Sequence, residues 1–354
     1  MRVSAVPATS VDSRLVDAWR RLQAVDPSLS SPFLAPEFTL TVAGARANVM
    51  VAVLEQNNRP VGFFPYERGL LSAGYQVGGT LNDLQGVVAA PGVDLPGSDL
   101  IRRCGLIQWR FNRILASQQL FEPHHVRTDV SWLIDLTAGF DAYASDKQDR
   151  FGSRLLRKGR RLERERGPVR FELHNAEPTS LAQLMAWKSA RYATAGYIDV
   201  FRTDWARQVI ERIHATQTDS FAGLLSLLWA GDDLVAAHLG IRCLDRWHSW
   251  IISYAPEFAR YSPGLLLYWN LAKAANGAGV RRIEIGGGDY AYKRMLANSS
   301  IGVAGGSVDR IPLVANARRL SEESRRWIRA SPLLRPPART FFRTCRRMIR
   351  AATP

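Results

Sequence analysis

Apolar positions in LVDAWRRL, within Ser13–Val25, recur at helical steps and stop at Asp26-Pro27, which predicts a helix followed by a break. After the irregular stretch SLSSPFLAPEF, the segment VMVAVLEQNNRPVGFFPYERG (49–69) sets two apolar runs on either side of Asn57-Asn58. Asparagine tolerates the left-handed backbone of a tight turn, so this layout predicts a β-hairpin. In LLSLLWAGDDLVAAHLGIRCLDRWHSWIISYAP (224–256) three apolar runs are separated by Gly231-Asp232-Asp233 and Asp245-Arg246, which predicts a three-stranded meander.

The first two meander strands echo the earlier hairpin: each pair has a buried run, a polar turn and a strand ending near an arginine, Arg68 or Arg242. The echo suggests two copies of one fold in tandem. Thr179–Thr194 and Asp204–Thr216 read as helices upstream of the meander. Downstream come a loop at 257–264, an apolar helix over 265–279, a short strand RRIEIGG (281–287) and a helix-like DYAYKRML (289–296). Strands and helices thus mix along the chain, and the fold class expected is α/β, with mixed sheets flanked by helices.

A chain of 354 residues, 46% of them apolar, suits two ordinary domains and excludes a disordered polypeptide. No stretch reaches the length of a membrane-spanning helix, and residues 1–13 show no secretory pattern. Cys104, Cys243 and Cys345 are scattered without metal-ligand spacing, so no metal site is expected, and the cytoplasm is the expected compartment.

The net charge of +15 is concentrated in two places. RFGSRLLRKGRRLERERG (150–167) holds eight Arg or Lys against Glu163 and Glu165, and the chain from Ser321 onward holds nine Arg against Glu322 and Glu323. Such surfaces attract polyanions, or are simply solvated helix faces, and charge alone does not choose. Near the C-terminus Phe341, Phe342, Cys345, Met348 and Ile349 can share one helical face, which would let the tail lie on an anionic membrane at the inner face of the cell, or dock on the protein body. No recognition helix accompanies the charge, so DNA is not an expected partner.

The junction RYSPGLLL (260–267) passes from a strand end to a helix start, where free backbone N–H groups and the helix dipole favour an anion. Ser262, Pro263 and Gly264 suit that site, and equally suit an ordinary capped helix. Gly286, Gly287 and Gly288 permit unusual dihedrals or a close ligand. Asp289, Tyr292 and Lys293 follow them directly, Asp289 as a proton acceptor and Lys293 as a grip on phosphate or carboxylate.

The run from about Arg154 to Leu296 resembles the GNAT-type acyltransferase domain of the CelD/BcsL family of bacterial cellulose and exopolysaccharide synthesis, with the peptidoglycan FemABX transferases as more distant relatives. The resemblance rests on RLLRKGRRLERERG, the helix with Trp187-Lys188 and Tyr192, LVAAHLGIR, SYAPEFARYSPGLLL and IEIGGGDYAYKRML. It implies tandem GNAT-like lobes, 1–145 and 146–315, with 316–354 as the basic helical tail. It further implies transfer of an acetyl or other acyl group from acyl-CoA to an amine of a sugar or sugar-linked acceptor. Arg260, Tyr261, Ser262, Pro263, Gly264 and Leu265 then fall where the CoA pyrophosphate is cradled.

Amine attack on a thioester needs a deprotonated nucleophile, a polarised carbonyl and a proton for the leaving thiolate. Asp289 is the first choice as base. His238 is the second, or else a hydrogen-bonded core residue. Tyr254 and Tyr292 are candidate proton donors, or packing residues. Trp187, Lys188, Arg191, Tyr254 and Lys293 are the expected substrate-binding residues. Two other readings stay open: a FemABX-like transferase whose basic helix contacts aminoacyl-tRNA, and a non-catalytic adaptor in a polysaccharide-export complex.

Overall fold

The computed structural model describes residues 1–147 and 151–310. The expected basic tail at 316–354 lies outside the described residues. Among the described residues, thirteen strands form one mixed sheet. In the N-terminal half these are β1 (Arg2–Pro7), β2 (Val49–Gln56), β3 (Arg59–Arg68), β4 (Ala73–Tyr75), β5 (Val88–Ala89), β6 (Gln108–Leu115) and β7 (His125–Asp135). The C-terminal half supplies β8 (Val169–Glu172), β9 (Phe221–Ala230), β10 (Asp233–Cys243), β11 (Arg246–Tyr254), β12 (Arg282–Gly287) and β13 (Ser299–Asp309). Their spatial order is β1-β2-β3-β4-β6-β13-β7-β12-β11-β10-β9-β8, with β5 paired to β3.

The local structure follows from the sequence chemistry. Helix α1 (Ser13–Val25) is capped by the Asp12 carboxylate, which accepts from the Leu15 N–H, and it buries Val16, Ala18 and Trp19. The β2–β3 turn places both Asn57 and Asn58 at positive φ, 52° and 59°, the geometry that matches strand twist in a two-residue hairpin. The meander forms as its apolar runs predict, with β10 antiparallel to both β9 and β11. Its second turn differs by one residue: Leu244, at φ 53°, takes the left-handed position and Arg246 already lies in β11.

The halves divided near residue 145 share this sheet. Strand β7 pairs with β12 on one side and β13 on the other, so the sheet runs unbroken from one half into the other. Residues Met1–Val308 accordingly form one compact unit. One core mixes Trp19, Phe33 and Phe63 with Leu184, Ile210 and Leu239 on the face shared by both halves. A second core lies under α5 (Ser153–Arg166) and α8 (Pro263–Ala275), and a third joins the N-terminal half to Ala304 and Val308 of β13. Among the described residues, the other α-helices are α2 (Pro36–Ala43), α3 (Gly97–Arg103), α4 (Phe140–Lys147), α6 (Pro178–Ala195), α7 (Asp204–Ala215) and α9 (Ala291–Leu296).

Candidate functional site

Strands β11 and β12 run parallel and pair only at Arg246↔Arg282, Trp247↔Ile283 and His248↔Glu284. Beyond that rung β12 stays with β7, whereas β11 continues to Tyr254 without β12 beside it. The splay leaves the edge of β11 beyond His248 without β12 as its strand partner. A cleft of about 340 Å³ opens there. Ile252, Ser253 and Tyr254 of β11 form one wall, Ser262, Pro263, Gly264, Leu265 and Tyr268 at the start of α8 a second, and Lys188, Arg191 and Tyr292 the rest. At the small end of ligand pockets, roughly 300–1,000 Å³, it suits the reactive arm of an extended molecule.

Its polar groups are unevenly satisfied. Ser262 sits in the left-handed region, φ 57° and ψ 53°, and its side chain does not cap α8. Its hydroxyl instead accepts from the Lys158 Nζ of α5 at 2.7 Å, which puts a cation beside the helix start. A Cβ on Gly264 would meet only the Tyr254 ring, at 3.7 Å, so a ligand can approach the backbone closely. The buried Ser253 hydroxyl has no hydrogen-bond partner. Lys188 donates from Nζ to the Ile252 carbonyl at 3.3 Å; burial and then Arg191 pull its pKa down to about 8, against the pull of Asp83. Arg191 stacks over the Tyr254 ring at 5.2 Å.

Eight of the fourteen expected site residues line this cleft: Lys188, Arg191, Tyr254, Ser262, Pro263, Gly264, Leu265 and Tyr292. The other six do not. Asp289 is 79% exposed and ion-paired with Arg294, because α9 starts two residues later than expected and leaves Asp289 outside it. Tyr261 is buried and donates to Glu165 at 2.6 Å, and Arg260 pairs with the same carboxylate at 3.0 Å. This latch ties the end of α5 to the loop before α8. Trp187 packs against both adjoining cores. Lys293 is buried, donates to the Gly287 carbonyl at 2.5 Å, and has its pKa lowered to about 8 by burial, against the opposing charge of Asp83. His238 is fully buried, and burial with the nearby His248 holds its pKa down at about 3, so the ring is neutral. The core alternative therefore describes it.

The glycine triplet serves the backbone. Gly286 and Gly288 have φ of 74° and 94°, and a Cβ on Gly287 would come within 2.6 Å of Arg113.

No local pattern in the sequence signals the charge cluster at the root of the splay, where His248 and Glu284 are buried. His248 lies between Asp83 (Nε2 to Oδ2, 3.1 Å) and Glu284 (Nδ1 to Oε2, 3.6 Å), and Glu284 accepts from the Ser131 hydroxyl at 2.6 Å. Burial alone would lower the His248 pKa, but the two carboxylates outweigh it and raise it to about 9. Burial opposes ionisation of Asp83 and Glu284 too, yet His248 and neighbouring cations hold both below the usual carboxylate range. The members come from segments 83, 131, 248 and 284, so only the folded sheet collects them.

The cleft thus lies at a strand splay beside the N-terminus of α8, in a mixed sheet that both halves share. Residues 150–294 match the family of acetyltransferase (GNAT) domains. Among the solved structures that share the fold are the following three. FemX is 10% identical and aligns over 88% of this chain and 97% of its own, with a TM-score of 0.57. The C-terminal domain of a putative lysylphosphatidylglycerol synthetase from Agrobacterium fabrum is 12% identical over 86% and 94%, with a TM-score of 0.51. A tandem GNAT protein from the clavulanic acid biosynthesis pathway is 14% identical over 88% and 99%, with a TM-score of 0.50. At such identities the likeness is one of fold. No curated protein sequence matches the chain.

Proposed function

We propose that the chain transfers an acetyl or other acyl group from acyl-CoA to an amine of a sugar or sugar-linked acceptor in exopolysaccharide or cell-envelope synthesis. The observation that carries this reading is the junction of two half-sites in one cleft: the α8 N-terminus with Lys158 and an open Gly264, and the bare edge of β11 with the unpartnered Ser253 hydroxyl. The first fits a pyrophosphate through backbone N–H groups and a cation. The second fits an amide-bearing pantetheine arm, which extends the sheet as another strand would. CoA supplies the activated thioester.

Lys188 and Arg191 flank the mouth and suit an acceptor that carries phosphate or carboxylate. Near pH 8 Lys188 is only partly charged, so it can also share a proton with the incoming amine. The resemblance of SYAPEFARYSPGLLL and IEIGGGDYAYKRML to CelD/BcsL proteins supports the sugar acceptor. Among the described residues no helix is long and apolar enough to cross a membrane, and the reading places the enzyme in the cytoplasm, at the inner membrane surface when it meets a lipid-linked acceptor.

Calorimetry with acetyl-CoA tests the donor. The expected Kd lies between about 1 μM and 1 mM, the range of ordinary enzyme substrates, and absence of heat at the upper end sinks the reading. A second reading, an aminoacyl-tRNA donor, is favoured by one observation: Arg154, Arg157, Arg160 and Arg164 are all exposed on α5. Binding of a charged tRNA that falls steeply with salt, together with no CoA binding, would put it first.

A further inference from the structure

Gly288 does more than turn the chain. At φ 94° it lies so near the Tyr290 ring that a Cβ there would stand 2.8 Å from it. The Tyr290 N–H donates to the Gly288 carbonyl at 3.1 Å, and the Tyr290 carbonyl accepts from the Lys293 N–H at 2.9 Å. The Lys293 ammonium lies 5.6 Å from the ring centre. The ring is thus seated by its own backbone, a glycine and a cation, yet Tyr290 is 56% exposed. A side chain that is both seated and exposed has already given up the rotamer freedom that binding would otherwise cost.

A second tyrosine is held in a similar way at the end of α6. Gly196, at φ 69°, reverses the chain, and the Tyr197 N–H returns to the Tyr192 carbonyl at 2.9 Å. The two rings meet edge to face at 5.9 Å, and Tyr197 is 66% exposed. Both tyrosine pairs lead out of the cleft. Tyr290 stacks on Tyr292, a residue of the cleft lining, at 6.0 Å with 28° between the planes. Tyr192 lies beneath the ammonium of Lys188, which also lines the cleft, at 5.6 Å. The charge of Arg191, a third lining residue, reaches the hydroxyls of both Tyr192 and Tyr292, so the two pairs flank it.

Single exposed tyrosines need no explanation, but two seated pairs that continue one cleft form a surface. Each ring offers a flat π-face and carries a hydroxyl, and cations stand between the rings, which suits a ligand that is apolar on its faces and polar at its rim. A sugar ring has that form, with C–H groups on its faces and hydroxyls around its edge. One sugar ring covers one aromatic ring, so Tyr290 and Tyr197, beyond the lining residues, call for further units. We propose that the two tyrosine pairs carry a chain of at least two sugar units, the unit with the reacting amine beside Lys188 and Tyr292 and the following units on Tyr290 and Tyr197. The inference rests on the sugar-amine reading above and narrows it from a lone amino sugar to an oligosaccharide or longer glycan.

Calorimetry of the full chain with glucosamine and with its β-1,4-linked tetramer, each in the presence of CoA, tests this. The tetramer is expected to bind at least about tenfold tighter than glucosamine. Tyr290→Ala and Tyr197→Ala should each cut that preference by about fivefold while acetyl-CoA binds as to the wild type. Both side chains are more than half exposed, so thermal unfolding should show the fold intact. Tyr290→Trp, which keeps an aromatic face, should keep the preference. A tetramer that binds no tighter than glucosamine, or a preference that survives both alanine variants, overturns the inference and leaves the transfer reading standing so long as acetyl-CoA binds. Binding to phosphatidylglycerol vesicles that both alanine variants lose, with no binding of the tetramer, assigns the surface to a membrane and overturns it too. Absence of acetyl-CoA binding by the wild type overturns the transfer reading, and this inference with it.

Discussion

Replacing His248 with Gln removes a buried proton without removing the side chain's volume or its capacity to hydrogen-bond. In the folded chain the imidazole holds that proton with a pKa of about 9, against about 6.5 in an unfolded one. The difference corresponds to about 3 kcal/mol of folding stability at 1.4 kcal/mol per unit. Because the folded value is the higher, the contribution is complete below about pH 6.5, declines as pH rises and is gone above about pH 9. The partner carboxylates run the other way: their pKa values are depressed, so their contribution is present above the usual carboxylate range and lost in acid. The charged trio therefore stabilises the fold in a window bounded by carboxylate protonation below and imidazolium deprotonation above. Urea unfolding of wild type and His248→Gln at about pH 6 and about pH 9.5 should show a stability gap that narrows by about 3 kcal/mol at the higher pH. A gap that stays constant refutes the reasoning, because it would mean that His248 is not charged in the folded state. The same residues make the last β11–β12 rung, His248↔Glu284, from which the cleft opens. CoA binding by the variant should weaken even under conditions where it is folded.

Two further outcomes follow from the site. Gly264→Ala places a methyl in ordinary contact with the Tyr254 ring in the first turn of α8, so unfolding should show stability unchanged or raised by about 0.4–1 kcal/mol. Its affinity for CoA, measured by calorimetry, should fall by roughly tenfold, since the methyl stands where the ligand nears the backbone. Asp289→Ala should leave kcat and the Kd for acetyl-CoA within about twofold of wild type, because the carboxylate is solvated and paired outside the cleft; a loss of a hundredfold would restore it as the base.

How much of this was legible in the sequence depended on how far apart the interacting residues lie along the chain. The Asn57-Asn58 turn, the α1 helix and the meander were legible because turn chemistry and periodicity are local. The cleft wall at Ser262–Leu265 was legible for the same reason, since a strand end, a serine, a proline and a glycine sit in one short run. Crossing of the halves through Ile134↔Ile283 and Leu133↔Ser299 was not legible, because no local pattern specifies a partner more than a hundred residues away. Nor was the role of Lys158, which looks like every other cation of its helix until the fold sets it beside Ser262. Asp289 shows the reverse: its place after three glycines suggests a base, but a carboxylate acts where its neighbours direct it, and Arg294 pairs with it outside the cleft. Whether a polar residue belongs to the reaction is decided by its partners rather than its type. His238 is set apart from the reaction by a burial that keeps it out of the cleft lining and makes it a weak base.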